Sequence, residues 1–388
     1  MTSIRKRKFG PNKDREAWVV DYVDQSGKRR LKTFTNKTAA KDWSVTAQHE
    51  IKQGIHTAAS VSRTVSEAWE LWIADCEANK LERSTVKQRR EHLRLHIAPF
   101  LGNEKLSSLT MPRIVDYVDA LRTAGRSLAM RRKVVTNLKT VLTFAQSRGM
   151  VAQNVARGVK VRSDARNTET GPIRAGRDFP DRSELRTLIE AVTGRWRPLI
   201  ITAVFTGMRA SELRGLNWAS VDLESGTIHV RQRADAWGTI GKPKSRAGNR
   251  DIPLTPIVVN TLKEWKESCP KGELDIVFPN GSGNVESHTN IINRLWDPIQ
   301  IKHGMTIETD KRDADGDLIV VAKYGFHSLR HAAASLFIAH MGWTPKRVCA
   351  VMGHSSIRMT FDLYGHLFED REDDQAGLQK LESAIVAA

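Results

Sequence analysis

The sequence predicts a multidomain α+β protein: a small N-terminal sheet-and-helix domain, a helical domain, and a mainly α domain with an inserted β-hairpin. Three observations carry this. At 388 residues the chain exceeds the roughly 100–200 residues of one ordinary domain. Hydrophobic spacing changes along it, from alternation near the start to three- and four-residue spacing beyond residue 64. The stretch RGVKVRSDARNTETGPIRAGRDFP at 157–180 is poor in apolar residues and holds prolines and glycines, so it reads as a linker. Domains are therefore expected at 1–58, 64–160 and 178–388, with the linker at 161–177.

Residues 16–34, EAWVVDYVDQSGKRRLKTF, set Trp18, Val20, Tyr22 and Leu31 among polar neighbours around an SGK turn, which predicts a hairpin. A helix should follow in TNKTAAKDWSVTAQHEIKQG, with Thr35 or Asn36 as N-cap, apolar Ala39, Trp43 and Ala47 at four-residue spacing, and Gly54 as a stop. Lys28, Arg29, Arg30 and Lys32 are expected to point outward, giving a basic sheet face that fits a groove of duplex DNA. Four helical runs then occupy 64–79, 83–102, 110–125 and 127–149, with Gly102, Gly125 and Gly149 near three of their ends. Lys87, Arg89, Arg90 and Arg94 on the second run, and Arg131, Arg132 and Lys133 on the fourth, offer phosphate contacts.

Beyond the linker, helices are expected at 181–193, 196–206, 210–216, 256–267, 327–341 and 344–352. GTIHVRQ and NRDIPL should form a strand pair around a turn containing GKPKSRAG. DKRDADGD at 310–317 has the look of a calcium loop, but Lys311 takes the first ligand position and Ala322 the last, so it reads as a polar hairpin turn.

Composition narrows the class. No window approaches the roughly 18–20 apolar residues of a membrane helix, and MTSIRKRKFG lacks the apolar core of a secretory signal. A cytoplasmic, nucleoid-associated protein is expected. Cys76, Cys269 and Cys349 are too scattered for a disulfide framework or a metal knuckle. The net charge is +17, with 13 Lys+Arg against 6 Asp+Glu in residues 1–60 and 18 against 9 in 61–160, so nearly all the excess lies in the first two domains. Such an excess points to a polyanion, bound with counterion release.

The third domain gathers Arg209 in TGMRASEL, Lys244 in the hairpin turn, His327, Arg330 and His331 in HSLRH, His354 in MGHSS, and Tyr364, one of four tyrosines. Arginine matches the non-bridging oxygens of a phosphodiester with a planar fork. Lysine and histidine can move protons. HSLRH also has HxxxH spacing, yet Ser328 stands where a zinc HExxH motif has its glutamate, and no carboxylate ligand is adjacent in sequence. No metal and no cofactor are expected.

In order and spacing, TGMRASELRGL, the lysine before RDIPL, HSLRHAAAS and MGHSSIRMTFDLYGH resemble the tyrosine recombinases, the phage-type integrase family. The resemblance covers the whole chain. It implies an arm-binding-like domain at 1–58, a core-binding domain at 64–160 and a catalytic domain at 178–388. Arg209, Lys244, His327, Arg330, His354 and Tyr364 would be catalytic, with Tyr364 the nucleophile and Lys244 the proton donor to the leaving oxygen. Lys242 is the alternative lysine; the nine-residue spacing before Pro253 favours Lys244. His327 and His354 would donate to the phosphate or help deprotonate the tyrosine, Glu212 would orient Arg209, and His331 is either the family's second histidine or a packed support.

The implied activity is site-specific recombination of a mobile element through a 3′-phosphotyrosine and a Holliday junction. Implied partners are double-stranded DNA at core and arm attachment sites, three further copies in a homotetramer, a DNA-bending host factor and an excision factor. A type IB topoisomerase-like enzyme and a non-cutting regulator on the same fold are the alternatives. The basic sheet domain argues against the first and the intact residue set against the second. After the nucleophile, residues 369–374 are almost all charged, and Leu378, Leu381, Ile385 and Val386 predict a short amphipathic helix that the resemblance would pack on a neighbouring protomer.

Overall fold

The computed structural model describes residues 2–9, 15–24, 27–53, 56–163, 173–313 and 315–368. They fall into two compact units, 1–168 and 169–388. The amphipathic segment expected after residue 374 lies outside the described residues, as does Gly54.

In the first unit, β1 (Ser3–Phe9), β2 (Arg15–Val23) and β3 (Arg29–Phe34) form an antiparallel sheet in that order. The sequence predicted only the β2–β3 hairpin. SIRKRKF hides its strand because lysine and arginine occupy both faces, yet it pairs along β2 from Ser3–Asp21 to Phe9–Arg15. Helix α1 (Lys37–Lys52) starts at Asn36, whose side chain accepts the Ala39 N–H, and packs Ala40, Trp43 and Ile51 on Val20, Tyr22 and Phe34. Ala39 itself is exposed.

Cross-strand pairs Val20–Lys32 and Tyr22–Arg30 place both cations on this helix-covered face. That corrects the expectation that they point outward. The Lys32 amine lies 4.6 Å from the Trp43 ring centroid, and Arg30 Nε is 2.8 Å from Asp24 Oδ2. Arg29 lies on the open face, where it and Arg5 both donate to Asp21. Lys28 is exposed beside the turn.

The helical part begins with α2 (Val65–Ala78), opened by a capping box between Thr64 and Glu67. The second run is bent: α3 (Arg83–His92) passes through a π-helical segment, Leu93–Ile97, into α4 (Ala98–Leu101). The Tyr117 hydroxyl donates to the His96 carbonyl of that wider turn at 2.9 Å. With α5 (Met111–Thr123) and α6 (Leu128–Ser147), these helices enclose Trp69, Ile73, Ile97, Tyr117, Leu138 and Leu142.

Arg131 shares the inward stripe of α6 with Val134, Val135 and Leu138 and is buried, which corrects its assignment as a surface phosphate contact. Arg89 stacks 4.2 Å over Trp72 and donates to Cys76 Sγ, while Arg90 bridges Glu70 and Glu77. Lys87, Arg94, Arg132 and Lys133 are exposed.

The second unit is built around α8 (Trp196–Thr206), which follows α7 (Arg182–Ala191) and is apolar on every side, as a central helix must be. Next come α9 (Ala210–Gly215) and the strands β4 (Val221–Asp222), β5 (Thr227–Val230), β6 (Arg233–Ala234), β7 (Ile240–Gly241) and β8 (Arg250–Pro253). The predicted pair is β5–β8, extended by β4, with β6–β7 as a small separate hairpin between its strands.

Then follow α10 (Pro256–Ser268), α11 (His288–Ile291), a second π-helical segment at Ile292–Trp296 and α12 (Asp297–Lys302). Strands β9 (Thr306–Arg312) and β10 (Leu318–Ala322) flank the predicted polar turn, where Asp313 accepts the N–H groups of Asp315 and Asp317. Helices α13 (Ser328–Ala339), α14 (Pro345–Met352) and α15 (Ile357–Tyr364) complete the described part. Ala332, Ala333 and Ala334 are buried and small, which lets α13 approach α8 closely. Among the described residues no helix is long and apolar enough to cross a membrane.

Candidate active site

Two helix ends in the second unit are closed by glycines in the left-handed region: Gly207 after α8, at φ 61°, and Gly353 after α14, at φ 64°. Each directs main-chain oxygen at an arginine. Arg330, buried near the start of α13, donates to the Gly207 carbonyl at 2.7 Å and to the Met352 carbonyl. Arg209, half-buried at the start of α9, donates to the Gly353 carbonyl at 2.9 Å and to Glu212 Oε1 at 2.8 Å. Carbonyls at helix C-termini carry partial negative charge, so they suit guanidinium groups.

Glu212, one turn into α9, also accepts the backbone N–H of Arg209 and two bonds from Arg250. Burial alone would raise its carboxyl, but hydrogen bonds and charge from Arg250, followed by Arg209, reverse this and hold it at about 2. Two guanidiniums thus share one carboxylate. Burial, and then the charge of Arg209, pushes Arg330 down to about 9, still protonated at neutral pH.

Tyr364, the last residue of α15, is 1% exposed and hydrogen-bonds Nδ1 of His331 at 2.8 Å. Burial raises its phenol above the ordinary value, with Arg330 opposing. Burial and then Arg330 lower His331, so its ring is neutral at neutral pH and can accept a proton. His327 stands on the solvent-facing side, its ring 5.2 Å from that of His331. Partial desolvation, and then His331, Arg330 and Arg209, push it down to about 4. His354 is buried with Nδ1 2.9 Å from Thr360 Oγ1, and burial followed by Arg330, Arg209 and Arg250 pushes it down to about 3.

Arg209, Glu212, His327, Arg330, His331, His354 and Tyr364 are therefore brought together. Lys244 and Lys242 are exposed on the loop 242–249 between β7 and β8. The sequence reading attached tyrosine deprotonation to His327 or His354, whereas His331 holds the hydroxyl. It also missed Arg250, although strand alternation places Arg250 on the same inward face as Ile252. The N-terminal and helical cations named above lie in the other unit, each where the fold description puts it.

A model described as the phage integrase family matches residues 180–371, and one described as the phage integrase N-terminal SAM-like domain matches residues 64–122. The chain belongs to the phage integrase family. This tyrosine recombinase is 25% identical over 340 residues to the prophage integrase IntR of Escherichia coli K12, covering 85% of this chain and 76% of IntR. It is 22% identical over 312 residues to the ICEBs1 integrase of Bacillus subtilis, covering 79% of this chain and 80% of that one. In fold the recombinase is similar to the Tn1549 transposon integrase in complex with a circular intermediate DNA, with a TM-score of 0.65, 19% identity, and 82% of this chain and 100% of that chain covered.

Proposed function

We propose that this tyrosine recombinase integrates or excises a mobile element by cutting and rejoining DNA through a 3′-phosphotyrosine and a Holliday junction. The observation that carries it is the Tyr364 hydroxyl on a neutral histidine in the same cluster as Arg209 and Arg330, whose positions are fixed by main-chain oxygen.

Tyr364 Oη attacks the scissile phosphorus, and its proton goes to His331 Nδ1. Arg209 and Arg330 hold the non-bridging oxygens as charge builds on phosphorus. The P–O5′ bond breaks, and Lys244, on its exposed loop, delivers a proton to the departing oxygen. His327 and His354 donate to the phosphate. The phosphoryl bond is kept in the tyrosine ester, so the reverse attack by a 5′-hydroxyl reseals DNA without ATP.

Residues 1–58 act as an arm-type DNA-binding domain, 64–160 as the core-binding domain, 161–177 as the linker and 178–388 as the catalytic domain. Four copies assemble on two core sites, in the manner of the lambda integrase solved as a tetramer bound to a Holliday junction. A bending host factor and an excision factor complete the assembly. The test is trapping on a nicked core-site DNA: wild type should form a protein–DNA adduct resistant to denaturation. A protein that binds core DNA and leaves no adduct would end this reading.

A further inference from the structure

Arg250 lies at the start of β8 and is 8% exposed. Its Nε donates to the Val351 carbonyl at 2.6 Å. One terminal nitrogen reaches the Gly248 carbonyl and Glu212 Oε1, both at 3.1 Å, and the other reaches Glu212 Oε2 at 2.8 Å. These partners belong to three segments that bear reacting groups: the lysine loop, helix α9 behind Arg209, and the end of α14 ahead of His354. The fit is tight. A Cβ added at Gly353 would lie 2.8 Å from the Ala247 oxygen and 3.0 Å from Arg250 Cδ.

We propose that Arg250 is a positioning residue that seats the lysine loop against the two phosphate-holding arginines, so that proton delivery to the 5′-oxygen coincides with attack by Tyr364. The proposal rests on the reading of Lys244 as the proton donor. Gly248 is four residues from Lys244 in the loop, and its carbonyl is fixed by the same guanidinium that grips Glu212. A planar fork with its donors spent on three segments holds them in one register; a lysine there, with a single compact head, cannot. Nothing in the reaction changes in balance: O–P forms, P–O5′ breaks, and only the geometry of the proton's delivery depends on Arg250.

The experiment uses full-length Arg250→Gln, Arg250→Lys, Lys244→Ala and Arg209→Lys on two nicked core-site DNAs, with oxygen or sulfur at the 5′-bridging position. A thiolate leaves without protonation, so sulfur removes the need for the acid. Single-turnover adduct formation by both Arg250 variants should be about 100-fold slower than wild type on the oxygen DNA. It should return to within about tenfold on the sulfur DNA, as for Lys244→Ala. Arg209→Lys should stay slow on both.

Binding to core DNA checks that each variant folds, and Arg250→Lys, which keeps the charge, carries the comparison if Arg250→Gln fails that check. The double variant Arg250→Lys/Lys244→Ala should be no slower than Lys244→Ala alone. Equal slowing of the Arg250 variants on both DNAs, or no slowing, overturns the proposal while rescue of Lys244→Ala leaves the Lys244 reading standing. Failure of sulfur to rescue Lys244→Ala removes the acid and the proposal with it.

Discussion

The Tyr364 hydroxyl and His331 Nδ1 are 2.8 Å apart across 33 residues of sequence, in an interior that leaves the tyrosine 1% exposed. A buried phenol with a raised pKa is a poor nucleophile unless its proton has somewhere to go. Tyr364→Phe should abolish adduct formation with DNA affinity unchanged. His331→Asn, which can hold the hydroxyl but cannot take its proton, should slow cleavage about 100-fold at unchanged affinity. Single-turnover trapping measures both, and a His331→Asn rate equal to wild type would remove the base.

Arg209→Lys and Arg330→Lys should each lower cleavage at least about 100-fold, because a point charge cannot span a phosphate oxygen together with the supports of each fork, which are a carbonyl and the Glu212 carboxylate for Arg209 and two carbonyls for Arg330. Near-normal recombination by either variant would take that arginine out of the phosphate site.

Acid should destabilise the second unit. His354 and His327 are held at about 3 and about 4, below the ordinary value of about 6.5. Between those limits the unfolded chain binds more protons than the folded one, so stability falls as pH falls. Tm measured between pH 7 and pH 5 should drop, and His354→Gln should flatten the drop. Parallel Tm curves for variant and wild type would contradict the assignment of His354 as a buried neutral group.

The two faces of the N-terminal sheet separate two kinds of effect. Arg29→Ala should weaken DNA binding by full-length protein and reduce its salt dependence, as expected for a lost phosphate contact. Lys32→Ala should instead lower thermal stability, through loss of its contact with Trp43. An identical salt slope for Arg29→Ala and wild type would take the open face out of DNA binding.

Much of this was legible in the sequence because helical periodicity and motif spacing are local properties. TGMR, HSLRH and the tyrosine segment named side chains that the fold brings into one cluster, and the four helical runs stood where their apolar stripes put them. Errors arose where charge overrode periodicity. Lys32 and Arg30 share a face with Phe34, so period-two alternation already turned them toward the helix, and Arg131 sits three and four residues from Val134 and Val135 on one stripe. Strand β1 was hidden by basic residues on both of its faces. The His331–Tyr364 pair was out of reach because it depends on how α13 and α15 pack, which no spacing encodes.

The supports of Arg330 at Gly207 and Met352 are main-chain atoms, and so is one support of Arg209 at Gly353. A carbonyl is supplied by every residue, so the identity of the side chain at such a position matters less than the path of the chain. Mutational drift can therefore rewrite much of the surrounding wall while the cationic cradle persists. The intolerant positions should be few and small: Gly207 and Gly353, where any side chain must adopt positive φ and collide with Met352 or with the Ala247 oxygen. A saturation library across 199–215 and 345–356, selected for recombination, would show that asymmetry as two near-vacant columns among permissive ones.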